Sequence, residues 1–142
     1  MDLSKIKGKI YFDNKFVNAK NAKIHVLNHS LHFASSVFEG IRVYNTKPLF
    51  LIDHLERLRT SAKIMGLKPP KLQNLVKNTN KLIKINKIND GYVRPILFRS
   101  SHSMSPETEN CKSILVIAVW KWGTLFSNNN GIKLDISKYP KL

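Results

Sequence analysis

An α+β domain, with a mostly antiparallel sheet and two helices packed on one face, is the fold class this sequence predicts. Three observations predict it. Short apolar runs broken by turn formers fill the first fifty residues, two helical stripes follow between residues 53 and 83, and two long apolar runs come after them. Strands, then helices, then strands put the helices on one side of a sheet whose neighbouring strands run antiparallel.

The elements follow in chain order. Ile10-Tyr11-Phe12 and Phe16-Val17 flank Asp13-Asn14-Lys15, an apolar pair around turn formers that predicts a hairpin. A third strand is expected around Ile24 and Val26. Val37 to Tyr44 is rich in β-branched and aromatic residues, and beyond Asn45-Thr46-Lys47-Pro48 it meets Leu49-Phe50-Leu51, predicting a second hairpin. Asp53 and Glu56 have the spacing of a capping box, and Leu55, Leu58, Ala62 and Met65 then recur at helical spacing up to Gly66, which suits a helix end. Pro69 and Pro70 open a second helix with an apolar stripe of Leu72, Leu75, Val76, Leu82 and Ile83. Asn89-Asp90-Gly91 makes a turn, and Tyr92 to Arg99 and Ser113 to Trp120 are two further strands joined by a polar loop.

At 142 residues and 42% hydrophobic content the chain suits one domain with its own core. Its longest apolar run, Ile114 to Trp120, is far short of a membrane span, and the opening MDLSKIKGK has no signal-peptide core. A cytoplasmic protein without membrane contact is expected. Cys111 is the only cysteine, so no internal disulfide or CxxC motif is available. The net charge of +15 is compatible with a nucleic-acid partner, yet the 24 Lys and Arg are scattered, and Lys77 to Lys87 alternates Lys and Asn with aliphatics as a solvated helix face does. Compositional bias toward A-rich codons accounts for that pattern, and no nucleic acid is expected.

Several constellations bear on chemistry. His25, His29 and His32 would share a face on a helix, but their segment reads as strand and loop without nearby acidic ligands, so structural histidines are expected. Ser35-Ser36 beside His32 lacks the GxSxG context of a nucleophile. Phe38, Gly40 and Arg42 alternate onto one face of a strand, where the glycine leaves room for a ligand beside an aromatic ring. Tyr92 and Arg94 likewise share a face, a phenol and a guanidinium suited to a carboxylate. Taken alone, Arg57 is a mid-helix arginine in a surface ion pair, and Trp120 and Trp122 end an apolar strand as core residues would.

Together VFEGIRVY, DHLERLRTSAKIMGL, YVRPILF and AVWKWG resemble, in this order and spacing, the N-terminal half of branched-chain amino acid aminotransferases. The similarity runs from about Ile10 to the end of the chain. The resemblance implies an enzyme that binds pyridoxal phosphate, shares its fold with D-amino acid aminotransferases and aminodeoxychorismate lyases, and works as a homo-oligomer. It implies an amino-group exchange between leucine, isoleucine or valine and 2-oxoglutarate. Arg57 falls where the family holds the cofactor phosphate. Tyr92 and Arg94 fall at the carboxylate-recognising positions, and Phe38, Gly40 and Trp122 on the wall of the apolar side-chain pocket. Phe33 matches a position often held by tyrosine that reaches into the neighbouring subunit's pocket. Ala34 and Leu125 depart from the glycine and tyrosine expected there.

In the family a lysine of the C-terminal half forms a Schiff base with the cofactor, and no lysine here stands in its context. The resemblance therefore implies a small N-terminal domain over residues 1–130, a start of the interdomain connection over 131–142 with a strand near ISKYPKL, and a fragment inactive by itself. A related D-amino acid or amine aminotransferase is the alternative among enzymes. From another class, the alternative is a non-catalytic basic nucleic-acid-binding domain.

Overall fold

Turn chemistry sets the two hairpins. In this computed structural model, which describes residues 7–100, 105–109, 111–123, 131 and 133–138, β1 (Lys9–Phe12) and β2 (Lys15–Asn18) pair antiparallel. The loop between them, Asp13 and Asn14, has φ of 43° and 67°, the left-handed pair that matches strand twist. Asn45 and Thr46 repeat the device, at 46° and 65°, between β4 (Ile41–Tyr44) and β5 (Lys47–Pro48). β5 is only two residues long, because Leu49 and Phe50 turn the chain and Leu51 already belongs to a helix and is buried in the core. The second hairpin is thus shorter than the sequence predicts.

No strand forms at Ile24 or Val26, which are exposed. Polar side chains of the segment satisfy the backbone locally instead. His25 Nδ1 accepts from the Leu27 amide at 3.1 Å, His32 Nε2 lies 3.0 Å from the Val26 carbonyl, and Asn28 Oδ1 accepts from the Ser30 amide to cap a short helix, α1 (His29–Phe33). Two histidines therefore bond to backbone as expected, while His29 is buried with Nδ1 2.9 Å from Ser35 Oγ.

β6 (Gly91–Ser100) and β7 (Lys112–Lys121) are ten residues each and form the centre of a seven-stranded sheet of order β2-β1-β7-β6-β4-β5. The strand predicted from Val37 to Tyr44 is interrupted, giving β3 (Ser36–Phe38) and β4, both antiparallel to β6. Pro95 explains the gap. Glu39 donates its amide to the Pro95 carbonyl at 3.0 Å, but proline has no N–H to return. The register runs unbroken across the gap, from Phe38 opposite Ile96 to Ile41 opposite Val93.

Two long helices cover one face. α2 (Leu51–Ile64) begins two residues before Asp53, so the predicted capping box is not formed; Phe50 is the N-cap, with no side-chain cap bond, and Asp53 lies in the first turn where its charge suits the helix dipole. Its end is as expected. Gly66 adopts φ 66°, its amide bonds to the Lys63 carbonyl, and Leu67 reaches back to Ala62 at 2.8 Å in a Schellman motif. α3 (Leu72–Ile85) starts after Pro70, since a residue preceding proline is held extended. Leu55, Leu58 and Ala62 of α2 and Leu75, Leu82 and Ile83 of α3 pack on Ile41, Val43, Val93, Leu97, Ile117 and Val119 of the sheet. Truncating one such leucine to alanine costs about 2–5 kcal/mol.

Asn86, which follows α3, lies against the edge of β1. Its Nδ2 donates to the Lys9 carbonyl at 2.9 Å and its Oδ1 accepts from the Lys9 amide at 2.7 Å, so a side-chain amide continues the ladder. Residues 133–138 form neither helix nor strand; the rest of the strand expected near the end of the chain, and Leu125, lie outside the described residues. No helix among the described residues is long and apolar enough to cross a membrane.

Candidate functional site

Alternation along β6 separates core from site. Val93, Pro95 and Leu97 are buried toward the helices, whereas Tyr92 and Arg94 point to the other face, where β7 contributes Trp120 opposite Tyr92 and β4 contributes Arg42. Gly40 and Phe38 fall on this second face by register. A Cβ at Gly40 would overlap the Tyr92 hydroxyl and come within 2.8 Å of its Cζ, so the glycine is what lets the phenol lie across the strand.

The side chains there interlock. Arg94 stacks its guanidinium over the Phe38 ring at 4.3 Å and donates from Nη2 to Tyr92 Oη at 3.0 Å. Its Nε is buried and has no partner among the described residues. Tyr92 packs on Trp122 at 4.5 Å and on Trp120 at 5.2 Å, and the two indoles stack at 5.9 Å. Arg42 Nη1 lies 3.5 Å from the Gly123 carbonyl, closing the far side. The result is an aromatic floor with one fixed guanidinium that has donors to spare, suited to holding a carboxylate whose apolar tail rests on rings.

Five of the expected site residues, Phe38, Gly40, Tyr92, Arg94 and Trp122, are therefore brought together. Phe33 is not. It ends α1, packs on His29 at 4.6 Å and is 42% exposed, outside the cluster's contacts. Ala34 follows it with φ 50°, a left-handed conformation that glycine adopts without strain.

Arg57 is on α2 and has a different neighbour. Its Nε and Nη2 grip both oxygens of Glu39 at 2.5 Å each, and His54 Nδ1, one turn earlier, lies 2.9 Å from Glu39 Oε2. Glu39 is 5% exposed, yet the side chain of Arg57 is 67% exposed. Burial alone pushes the Glu39 carboxyl up, but the hydrogen bonds and charges of Arg57 and His54 outweigh it and hold the group below the ordinary carboxylate range. Glu39 in turn raises the Arg57 pKa further.

The expectation of an ion pair at Arg57 is met, with a buried partner that sequence reasoning did not single out. The signal was present. Glu39 alternates onto the same face as the buried Ile41 and Val43, and a carboxylate there needs hydrogen-bond partners and a counter-charge, which His54 and Arg57 supply from the i, i+3 spacing of one helix face.

A two-layer α+β domain with an aromatic face around one fixed guanidinium, and a separate clamped arginine, is the architecture of a known class of proteins. Residues 36–139 match the family described as amino-transferase class IV, and the chain belongs to that family. Its relatives are branched-chain aminotransferases. The branched-chain-amino-acid aminotransferase of Pseudomonas aeruginosa is 31% identical over 99% of this chain and 48% of its own length. The crystal structure of the Escherichia coli branched-chain amino acid aminotransferase is similar with a TM-score of 0.79 and 30% identity, over 84% of this chain and 41% of that one. A further branched-chain amino acid aminotransferase, solved with pyridoxamine 5'-phosphate, gives a TM-score of 0.79 at 28% identity, over 89% and 43%. The chain spans about half the length of the curated relatives it matches.

Proposed function

We propose that this chain is the small N-terminal domain, over residues 1–130, of a pyridoxal-phosphate-dependent branched-chain aminotransferase, with 131–142 leading into the interdomain connection. The reaction moves an amino group between leucine, isoleucine or valine and 2-oxoglutarate. The observation that carries this reading is Arg94, fixed between the Phe38 ring and the Tyr92 hydroxyl with its Nε unpartnered among the described residues, on the same face as Gly40 and Trp122.

One pocket must then serve two kinds of side chain. The aliphatic groups of leucine, isoleucine and valine rest on Phe38, Trp122 and the ring of Tyr92, burying apolar area and excluding water. The distal carboxylate of 2-oxoglutarate or glutamate instead takes hydrogen bonds from Arg94 and Tyr92, and stacking on Phe38 keeps the guanidinium in place when no carboxylate is present. The space the sequence leads one to expect for a ligand at Gly40 is taken by the Tyr92 phenol, so the glycine serves both substrates by letting that ring and hydroxyl lie across the strand. Phe33 reaches into the pocket of a neighbouring subunit in a homo-oligomer.

Arg57 fits the cofactor phosphate. Glu39 occupies only the Nε–Nη2 side of the guanidinium, and Nη1 has no partner among the described residues, so the terminal edge is free to donate to an oxyanion. Pyridoxal phosphate, when bound, supplies the electron sink for the pair released at the substrate Cα. This chain's part is to anchor the phosphate, orient the substrate carboxylate and keep the apolar wall dry.

The test is Arg94→Leu in the cofactor-loaded enzyme that carries this chain. KM for 2-oxoglutarate should rise about 10- to 100-fold while KM for leucine changes far less, the loss expected for charge-assisted hydrogen bonds to one substrate only. An equal change for both substrates would overturn the dual-substrate reading.

A further inference from the structure

We infer that Glu39 is a positioning residue for the cofactor phosphate: clamped beneath α2, it fixes the orientation of the Arg57 guanidinium so that its free edge meets the phosphate. The inference rests on the reading of Arg57 as the phosphate-binding group. It assigns a further residue and a physical cause for affinity that the arginine alone does not provide.

A flexible arginine with two-thirds of its side chain in solvent is a poor anchor, because binding must first restrict its rotamers. Arg57 is not free in this way. Both oxygens of Glu39 engage two of its nitrogens, a fork-to-fork contact that sets the plane as well as the position of the guanidinium. Glu39 is itself held. Its backbone amide bonds to the Pro95 carbonyl, and His54 bonds to Oε2 from the same helix that carries Arg57.

Three N–H groups of the guanidinium remain: one on Nη2 and one on Nη1 lie along the terminal edge, and the second on Nη1 points back toward Cδ. That edge presents two parallel donors to two oxygens of a phosphate. A carboxylate near a phosphate would ordinarily repel it. Here Arg57 and His54 both contact Glu39, so its charge is compensated locally while the ordering effect is kept.

Two measurements test this. In the 142-residue chain, the Arg57 Nε–Hε resonance, assigned by its loss in Arg57→Lys, should be shifted downfield and exchange slowly with water, and both features should vanish in Glu39→Gln. An Arg57 Hε that exchanges as fast as an exposed arginine in the unmutated chain overturns the clamp without requiring any variant to fold. In the enzyme that carries this chain, Glu39→Gln should weaken pyridoxal phosphate binding about 3- to 10-fold, the cost of immobilising one long side chain, and leave the affinity for phosphate-free pyridoxal unchanged.

A double variant Glu39→Gln/Arg57→Ala should bind no more weakly than Arg57→Ala alone, since Glu39 acts only through Arg57. If Arg57→Ala weakens the cofactor and Glu39→Gln does not, or tightens it, the positioning role fails and the phosphate role of Arg57 stands. If Arg57→Ala has no effect, both fail together.

Discussion

The phenol of Tyr92 lies over the Cα of Gly40, in the volume that any larger residue at that position would fill. Gly40→Ala must push the ring off its Arg94 and Trp122 contacts. The expected cost is about 1–3 kcal/mol, as for other overpacked sites, read from urea denaturation. Tyr92→Phe in the same protein should recover part of that loss, because it removes the overlapping oxygen but leaves Cζ within 2.8 Å of the new methyl. Strict additivity of the two substitutions would show that the ring and the glycine do not share this space.

Arg57 and Arg59 stand two residues apart on α2 with different partners. Arg59 Nη1 bonds to Glu56 at 2.8 Å and its Nε to the Pro70 carbonyl at 3.2 Å, tying the helix to the following loop. Arg57→Ala is expected to weaken pyridoxal phosphate about 10- to 100-fold in the enzyme that carries this chain, and Arg59→Ala to leave it within about twofold. Fluorescence titration of the cofactor distinguishes them. Equal affinities for Arg57→Ala and the unmutated protein would make the arginine a structural ion-pair partner alone.

The pH dependence follows from the sign of the Glu39 shift. Its carboxyl is depressed in the folded chain, so the unfolded chain binds the proton more readily and the stabilisation is fully present above the ordinary carboxylate range, near pH 5 and higher. It is lost as pH falls from about 4 through the lower folded value. Glu39→Gln should therefore flatten the acid limb of the stability profile below about pH 4.5 relative to the unmutated chain. Parallel profiles for the two proteins across that limb would contradict the assignment.

Ala34, at φ 50°, carries a left-handed backbone with a Cβ. The conformation costs an L-residue about 1–2 kcal/mol, partly offset because glycine loses more chain entropy on folding. Ala34→Gly is expected to stabilise the chain by about 0.5–1 kcal/mol in chemical denaturation. A destabilised variant would mean that the neighbouring α1 relieves the strain in another way.

Ile24, Val26, Leu27, Leu31 and Phe33 are all exposed along and before α1. Apolar patches of more than a few hundred Å² generally drive association. The 142-residue chain is expected to self-associate in light scattering at high concentration and to bind an apolar dye. A strictly monomeric chain that binds no dye would count against an oligomer interface here.

How far the sequence could be read depended on whether a residue's role was local. β6 and β7 were legible to within one residue because alternation, a Gly-containing turn and β-branched content agree there. The clustering on one sheet face followed, since alternation alone places Tyr92 beside Arg94 and Phe38 beside Gly40. Ile24 and Val26 misled, because β-branching favours a strand only where an edge is available, and His25, Asn28 and His32 had already taken the local backbone groups. Asp53 looked like a cap because the cap's signal is side-chain chemistry, whereas this helix starts at Phe50 through backbone geometry. Alternation puts Glu39 on the buried face and so calls for a partner, but which helix supplies it is a long-range pairing between a strand and a helix, and sequence spacing carries no distance between elements.

Asn86 bonding to Lys9, and Tyr11 standing opposite Ile117, have a consequence in time. During synthesis the first hairpin leaves the ribosome long before either partner does. At the usual pace of translation, β1 waits roughly 5 to 20 seconds for β7. Throughout that interval its outer edge is an unpaired row of amides and carbonyls open to any other nascent chain. Crowding of ribosomes on one message would bring such edges together, so the yield of soluble chain should fall as initiation is made faster and recover when a chaperone that shields extended segments is supplied.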